Sequence, residues 1–285
     1  MQTQREEVAC NLCESRRTVL WDEVRGARLV RCLDCGLVYT NPRPALSVLM
    51  GSYEEEYSEA HEEPELLRQR QVMYRLELAE ILRRRHGGRF LDIGCGTGEF
   101  LSLLRDHFEV YGTDVSRHYI EQARSRYGLE HLSVGQLGEV GFDDSFFDVV
   151  QMRGVLQHVP DPLSQLREAF RITKPGGMLI ISATPNIASP AARCFRGHFR
   201  LLAPDQMLYD FSPRTLQALL AKAGFRVQGF TYPYVNTPYF RWYQPLQFVY
   251  LTAALRLKRA LGQDASAIKS PPFFRSMMNC YAIKP

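Results

Sequence analysis

An apolar run that ends in an acid and opens straight into alternating glycines constrains this chain more than any other segment: Arg89-Phe-Leu-Asp-Ile-Gly-Cys-Gly-Thr-Gly-Glu-Phe-Leu101. Gly94, Gly96 and Gly98 permit the positive φ angles of a strand-to-helix turn, and they let a ligand approach the backbone with no Cβ in the way. Asp92 narrows the kind of ligand. A turn built for a pyrophosphate would be opposed by a carboxylate two residues before its first glycine, so the segment suits a cationic ligand better.

Around this turn, strand-like and helix-like stretches alternate. Residues 64–86 carry apolar side chains near helical spacing and stop at Gly87-Gly88. Residues 109–114 predict a second strand, 116–127 a helix capped by Ser116 and stopped by Gly128, and 131–135 a third strand. The fourth and fifth strands fall at 146–152 and 178–183, separated by a helix over 162–173 that Lys174-Pro-Gly-Gly177 closes. Ser212-Pro213 opens another helix, residues 225–232 form a strand, and 277–283 the last one. Such alternation predicts an α/β fold, a Rossmann-like seven-stranded and mostly parallel sheet with helices on both faces, and ligands at the carboxyl ends of the strands.

Asp114 stands at the end of the second strand, 20 residues after Gly94, where a carboxylate can accept both hydroxyls of a ribose. With Asp92 and the glycines it makes the chain resemble the class I S-adenosylmethionine (SAM)-dependent methyltransferases. SAM carries a sulfonium and an α-ammonium, which an acid at the end of the first strand suits. The resemblance implies a SAM site formed by Asp92, Gly94, Cys95, Gly96, Gly98, Asp114, Val115, Gln136, Leu137 and Met152. Tyr57 of the connector closes over the cofactor in this reading, with Tyr53 a second candidate. Gln136 departs from the family, whose third strand often ends in an acidic residue beside the adenine amine. Residues 151–162, Gln-Met-Arg-Gly-Val-Leu-Gln-His-Val-Pro-Asp-Pro, resemble the family segment that flanks the methionine end of the cofactor. His158 is therefore the candidate catalytic base for a hydroxyl acceptor, its ordinary pKa range suiting proton abstraction; ordering the loop is its other reading.

A second constellation lies near the N-terminus. Cys10-Asn-Leu-Cys13 and Cys32-Leu-Asp-Cys35, with 18 residues between them, offer four thiolates at the spacing of a zinc ribbon. Four protein ligands leave no open position, so the zinc would be structural; a redox dithiol pair is the alternative. Cys95, Cys194 and Cys280 have no spacing partner. The ribbon and its Gly36-Leu-Val-Tyr-Thr-Asn-Pro-Arg-Pro44 tail resemble a branch of small-molecule methyltransferases with an N-terminal zinc ribbon. The organisation read from the sequence is a ribbon over 1–45, a connector and lead-in helix over 46–88, and a methyltransferase domain with C-terminal acceptor-binding insertions over 89–285.

Charge bears on the acceptor. From Asn186 onward 13 Lys/Arg face three Asp, leaving 22 of the chain's 35 basic and 28 of its 31 acidic residues before that point. A basic C-terminal third favours an anionic or lipid-linked acceptor, or peripheral contact with an acidic membrane; a solvated face is the plain alternative. Arg193, Arg196 and Arg200 are candidates to hold an acidic acceptor, and residues 239–261 read as one or two amphipathic helices, either core-packing or lipid-facing. Residues 1–45 hold seven arginines and six acids, too balanced for a nucleic-acid footprint. The expected function is methyl transfer to a small-molecule or carrier-linked acceptor, with O-methylation favoured. An rRNA or tRNA methyltransferase and a non-catalytic SAM-binding or zinc-ribbon module are the alternatives. The polar stretch 1–8 shows no signal peptide, and residues 248–255 form an apolar run far below the ~20 residues of a membrane span, so a cytoplasmic location is expected.

Overall fold

A computed structural model describes residues 4–45, 48 and 64–285. The N-terminal strands are β1 (Arg5–Glu6), β2 (Thr18–Val24), β3 (Ala27–Cys32), β4 (Val38–Thr40) and β5 (Arg43–Pro44). Next come α1 (Pro64–Leu82), β6 (Arg89–Ile93), α2 (Glu99–Leu104), β7 (Glu109–Asp114), α3 (Arg117–Tyr127), β8 (His131–Val134), α4 (Leu137–Val140), β9 (Phe147–Arg153), α5 (Pro162–Ile172) and β10 (Thr173–Pro185). The C-terminal elements are α6 (Pro190–Phe195), β11 (Tyr209–Asp210), α7 (Pro213–Lys222), β12 (Arg226–Thr231), α8 (Gln244–Ala260) and β13 (Met277–Ile283).

Seven strands form one sheet in the order β12-β13-β10-β9-β6-β7-β8, and all pairings from β10 through β8 are parallel. The expected Rossmann-like architecture is thus present. β6 is an interior strand, between β9 and β7, with Phe90, Leu91 and Ile93 buried, as a parallel strand covered on both faces should be. The chain runs outward from β6 through β7 to β8, then returns on the other side through β9 and β10. The strand order therefore reverses between β6 and β9, and a crevice opens there at the carboxyl ends.

Local signals explain the helix boundaries. Ser116 accepts from the Tyr119 N–H at 3.3 Å, and Gly128 ends α3 in the left-handed conformation. Asp161 caps α5 by accepting from the Ser164 N–H, and Pro162 occupies the first turn, so the Asp-Pro pair read near the cofactor is a helix start. Lys174-Pro-Gly-Gly177 behaves differently from expectation. α5 already ends at Ile172, where Thr173 turns extended while its hydroxyl donates to the Ala169 carbonyl, and residues 174–177 belong to β10 as an irregular stretch of register.

The chain gathers into two compact units. One comprises Met1–Ala45, Ala183–Leu219 and Phe230–Asn279; the other comprises Leu46–Ser182, Leu220–Gly229 and Cys280–Pro285. In the first unit β11 pairs antiparallel with β4, extending a four-stranded sheet of order β11-β4-β3-β2. Trp21, Leu29 and Val38 of the ribbon share a buried cluster with Ala191, Phe199 and Leu202. Arg25-Gly26, with φ of 52° and 77°, joins β2 and β3 as a two-residue hairpin turn whose twist suits antiparallel strands.

Candidate functional site

The second unit contains a cavity of about 560 Å³ at the carboxyl ends of β6, β7 and β9. The turn after β6 forms its floor. The backbone N–H groups of Gly94 and Cys95 both donate to the Thr113 carbonyl, at 2.7 and 3.0 Å, which folds the turn back over β7. Its three glycines serve different ends. A Cβ on Gly94 would lie 2.4 Å from Val155 Cγ2, so this position allows close packing. Gly96, at φ 52°, has no other atom within 4 Å of a built Cβ and lines the cavity, which leaves its backbone open to a ligand. Gly98 precedes α2, and a Cβ there would lie 2.8 Å from Ala123 Cβ and Leu129 Cδ1. It allows helix packing and is not among the described residues of the cavity wall.

Asp92 is buried, lines the cavity, and its Oδ1 has no hydrogen-bond partner. Burial pushes its carboxyl up to about 8; Arg153 opposes the shift, while Glu77 and Asp114 add to it. The Arg153 Nε donates to Glu77 at 3.1 Å, and its guanidinium lies 4.7 Å from the Tyr74 ring centroid. Immediately around Asp92, then, the Glu77 and Asp114 carboxyls are opposed by Arg153, while the cavity wall as a whole carries Arg70, Arg126 and Arg153 beside Asp92, Glu99, Asp114 and Asp161. Asp114 accepts from the Gly96 N–H at 2.8 Å on one oxygen and from the Ser116 N–H at 2.9 Å on the other. Its pKa is also raised by burial, against the pull of these backbone donors.

Cys95, Val115, Gln136, Leu137 and His158 line the same cavity. Gln136 sits at the N-cap of α4, where its backbone N–H donates to Glu139 in a capping box. The His158 N–H donates to the Val155 carbonyl at 2.9 Å, closing the turn that presents the imidazole. Met152 is not part of the described wall: β9 turns it into the core, fully buried, and the next residue, Arg153, reaches the cavity. Tyr53 and Tyr57 lie outside the described residues. Arg193, Arg196 and Arg200 are not among the lining residues either. Arg196 instead stacks on Trp21 at 4.7 Å, donates to its carbonyl, and pairs with Asp22 at 3.6 Å.

Sequence reasoning missed the contribution of α1, read only as a lead-in helix. Leu67, Arg70 and Tyr74 line the cavity, and Glu77 supports Arg153 from beneath. A signal was present: Tyr74, Glu77 and Ile81 are buried at i, i+3, i+7, which places an acid in the apolar stripe. A buried acid at such a position requires a partner.

In the first unit the Sγ atoms of Cys10, Cys13, Cys32 and Cys35 all lie within 4.8 Å of one another. Tetrahedral zinc with bonds of about 2.3 Å needs sulfur separations of about 3.8 Å, so the donor set and its spacing fit that ion. The two knuckles match in backbone: Glu14 and Gly36, each following its second cysteine, have φ of 63° and 82°, and their N–H groups donate to the carbonyls of Cys10 and Cys32 at 2.7 and 3.0 Å. Burial works to raise the Cys32 thiol, but the backbone N–H groups of Cys35 and Asp34 outweigh it and hold the group down at about 7.

The family described as a methyltransferase domain matches residues 66–228. Among curated proteins, an uncharacterized 37.1 kDa protein in a Streptomyces fradiae transposon is 30% identical over 54% of this chain and 48% of its own length. A demethylmenaquinone methyltransferase of Staphylococcus saprophyticus is 30% identical over 51% of this chain and 74% of its own. The alignments therefore span from about half to about three quarters of these relatives. A solved SAM-dependent methyltransferase of Thermotoga maritima shares the fold with a TM-score of 0.54 at 21% identity, covering 85% of this chain and 100% of that one.

Proposed function

The chain belongs to the methyltransferase-domain family, and from that premise we propose that it is an enzyme that moves a methyl group from SAM to a small-molecule acceptor. The observation that carries the reading is the unpartnered Oδ1 of buried Asp92, which lines the cavity. An ammonium placed there completes the carboxylate's hydrogen bonding and offsets its desolvation.

When bound, SAM supplies a methyl group already activated on a sulfonium. The remaining tasks fall to the chain. Each Asp114 oxygen holds one backbone N–H and keeps lone-pair capacity for a ribose hydroxyl. The open backbone at Gly96 would admit the sugar, and Val115, Gln136 and Leu137 would hold the adenine. His158 would accept the proton that a hydroxyl acceptor gives up on methylation. Alignment and exclusion of water by the cavity walls supply the rest of the rate. In the first unit, Cys10, Cys13, Cys32 and Cys35 hold one structural zinc ion.

The acceptor is small and lipid- or carrier-linked in this reading. Demethylmenaquinone stands as the acceptor in the name of curated relatives, and the basic C-terminal third favours peripheral contact with an anionic membrane. Calorimetric titration with SAM tests the site. Saturable binding by the native chain, abolished in Asp92→Ala and in Asp114→Ala, is expected; unchanged binding in both variants would overturn the assignment.

A further inference from the structure

Helix α8 in the first unit has two unlike faces. Gln244 and Leu255 are buried, Phe248 stacks on Phe273 with centroids 4.2 Å apart, and Leu251 packs with Phe195 and Ala265. On the other side Leu246, Val249, Tyr250, Leu257 and, just past the helix, Leu261 are exposed, and at 3.6 residues per turn they fall within an arc of about 120°. Trp242, ahead of the first turn, joins them; the six are between 60% and 78% exposed. Single exposed apolar residues are ordinary, but a contiguous arc of this size marks an interaction surface.

The surrounding charge selects the partner. Residues 211–263 contain no Asp or Glu, while Arg241, Arg256, Lys258 and Arg259 lie in or beside α8. By helical position Arg256 and Lys258 fall on the two flanks of the apolar arc. Trp242, Tyr243 and Tyr239, all exposed, cluster at the helix start as aromatic side chains do at a membrane–water boundary. Apolar arc, basic flanks and aromatic end together match a helix lying in the plane of an anionic bilayer. Among the described residues no helix is long and apolar enough to cross one.

We infer that the exposed face of α8 docks the protein onto anionic lipid membranes, with Trp242, Leu246, Val249, Tyr250 and Leu257 entering the interface and Arg256 and Lys258, on its two flanks, meeting the headgroups. This locates the peripheral contact proposed above, and it rests on that part of the reading rather than on methyl transfer.

Flotation of the full chain with vesicles of phosphatidylcholine alone, and with about 30% phosphatidylglycerol, tests it. The native protein should float with the anionic vesicles, and binding should weaken as salt rises. Val249→Asp with Leu257→Asp, and separately Arg256→Glu with Lys258→Glu, should each reduce partitioning by about tenfold or more. Fluorescence provides a check on the unaltered chain: of its two tryptophans Trp21 is buried, so quenching by brominated lipid reports Trp242. Equal flotation on both vesicle types, or no quenching, would overturn the inference. So would a dimer in sedimentation that Val249→Asp with Leu257→Asp dissolves while vesicles bind neither protein, because the face would then be covered by a second copy. SAM titration of the native chain separates the two proposals: SAM binding with no vesicle binding ends this inference alone, and vesicle binding with no SAM binding ends the other.

Discussion

Asp92 makes the stability of the free protein depend on pH with a sign opposite to that of a salt-bridged acid. Its carboxyl titrates at an ordinary 3.8 when unfolded, and burial raises it to about 8 in the folded chain. Between those values the folded state keeps a proton that the unfolded chain has lost. The unfolding free energy therefore falls as pH rises, by roughly 1.4 kcal/mol per pH unit. This contribution is fully present below the unfolded value and is gone once pH has passed the folded one. From pH 6 to pH 9 the loss amounts to roughly 2.5 kcal/mol, since the slope vanishes above about 8. Asp92→Asn keeps the shape and removes the titration. Urea unfolding of both proteins at pH 6 and pH 9, followed by circular dichroism, should show the native chain losing more stability than the variant by about that amount. Equal losses would refute the placement of Asp92 as a buried, unpartnered acid. The same group should respond to ligand: a cation beside it favours the charged form, and at pH 7 an acid of pKa about 8 is roughly nine-tenths protonated. SAM titrations in buffers of different ionisation heat should reveal release of nearly one more proton per site in the native chain than in Asp92→Asn.

Gly94→Ala should be destabilising by about 2 kcal/mol or more, since its Cβ would lie 2.4 Å from Val155 at a φ of 72°; thermal unfolding measures this. Gly96→Ala, with open space around its Cβ, should lose less stability but weaken SAM binding, and the two variants behaving alike would contradict the distinct roles given to these glycines. Metal analysis of the purified chain should find one zinc, absent from Cys10→Ser with Cys13→Ser, and a chelator should lower the unfolding temperature of the native protein but not of the variant. His158→Ala should reduce turnover by roughly a hundredfold or more with little change in SAM affinity, as loss of a general base does; parallel losses in both would indicate a loop-ordering role.

The core of the fold was legible because local chemistry and global wiring agree there. β7 and β13 appear with the bounds read from the sequence, and Ser116 and Gly128 cap α3 as expected. Asp92, Gly96 and Asp114 were readable because a strand end and a glycine turn place backbone and side chain together within a few residues. What stayed hidden depends on contacts distant in sequence. The pairing of Tyr209 with Tyr39 joins a two-residue strand to one 170 positions earlier, and no periodicity in so short a strand announces it. Arg153 and Glu77 meet across 76 residues; each alone reads as a surface charge. At the end of β9 the pleat sends the Met152 side chain into the core and Arg153 to the cavity, which the resemblance alone, resting on backbone position, does not distinguish. The arginines after β10 were readable as charge but not as structure, and the stacking of Arg196 on Trp21 accounts for one of them without any ligand.

A crystal structure with S-adenosylhomocysteine, the demethylated product, tests the assignment of the cavity most directly. The ligand's α-ammonium should lie within hydrogen-bond distance of Asp92 Oδ1, and its ribose hydroxyls should meet both oxygens of Asp114 across the open backbone at Gly96. Occupancy anywhere other than the crevice between β6 and β9, or a bound ligand that leaves Asp92 Oδ1 without a partner, would contradict it.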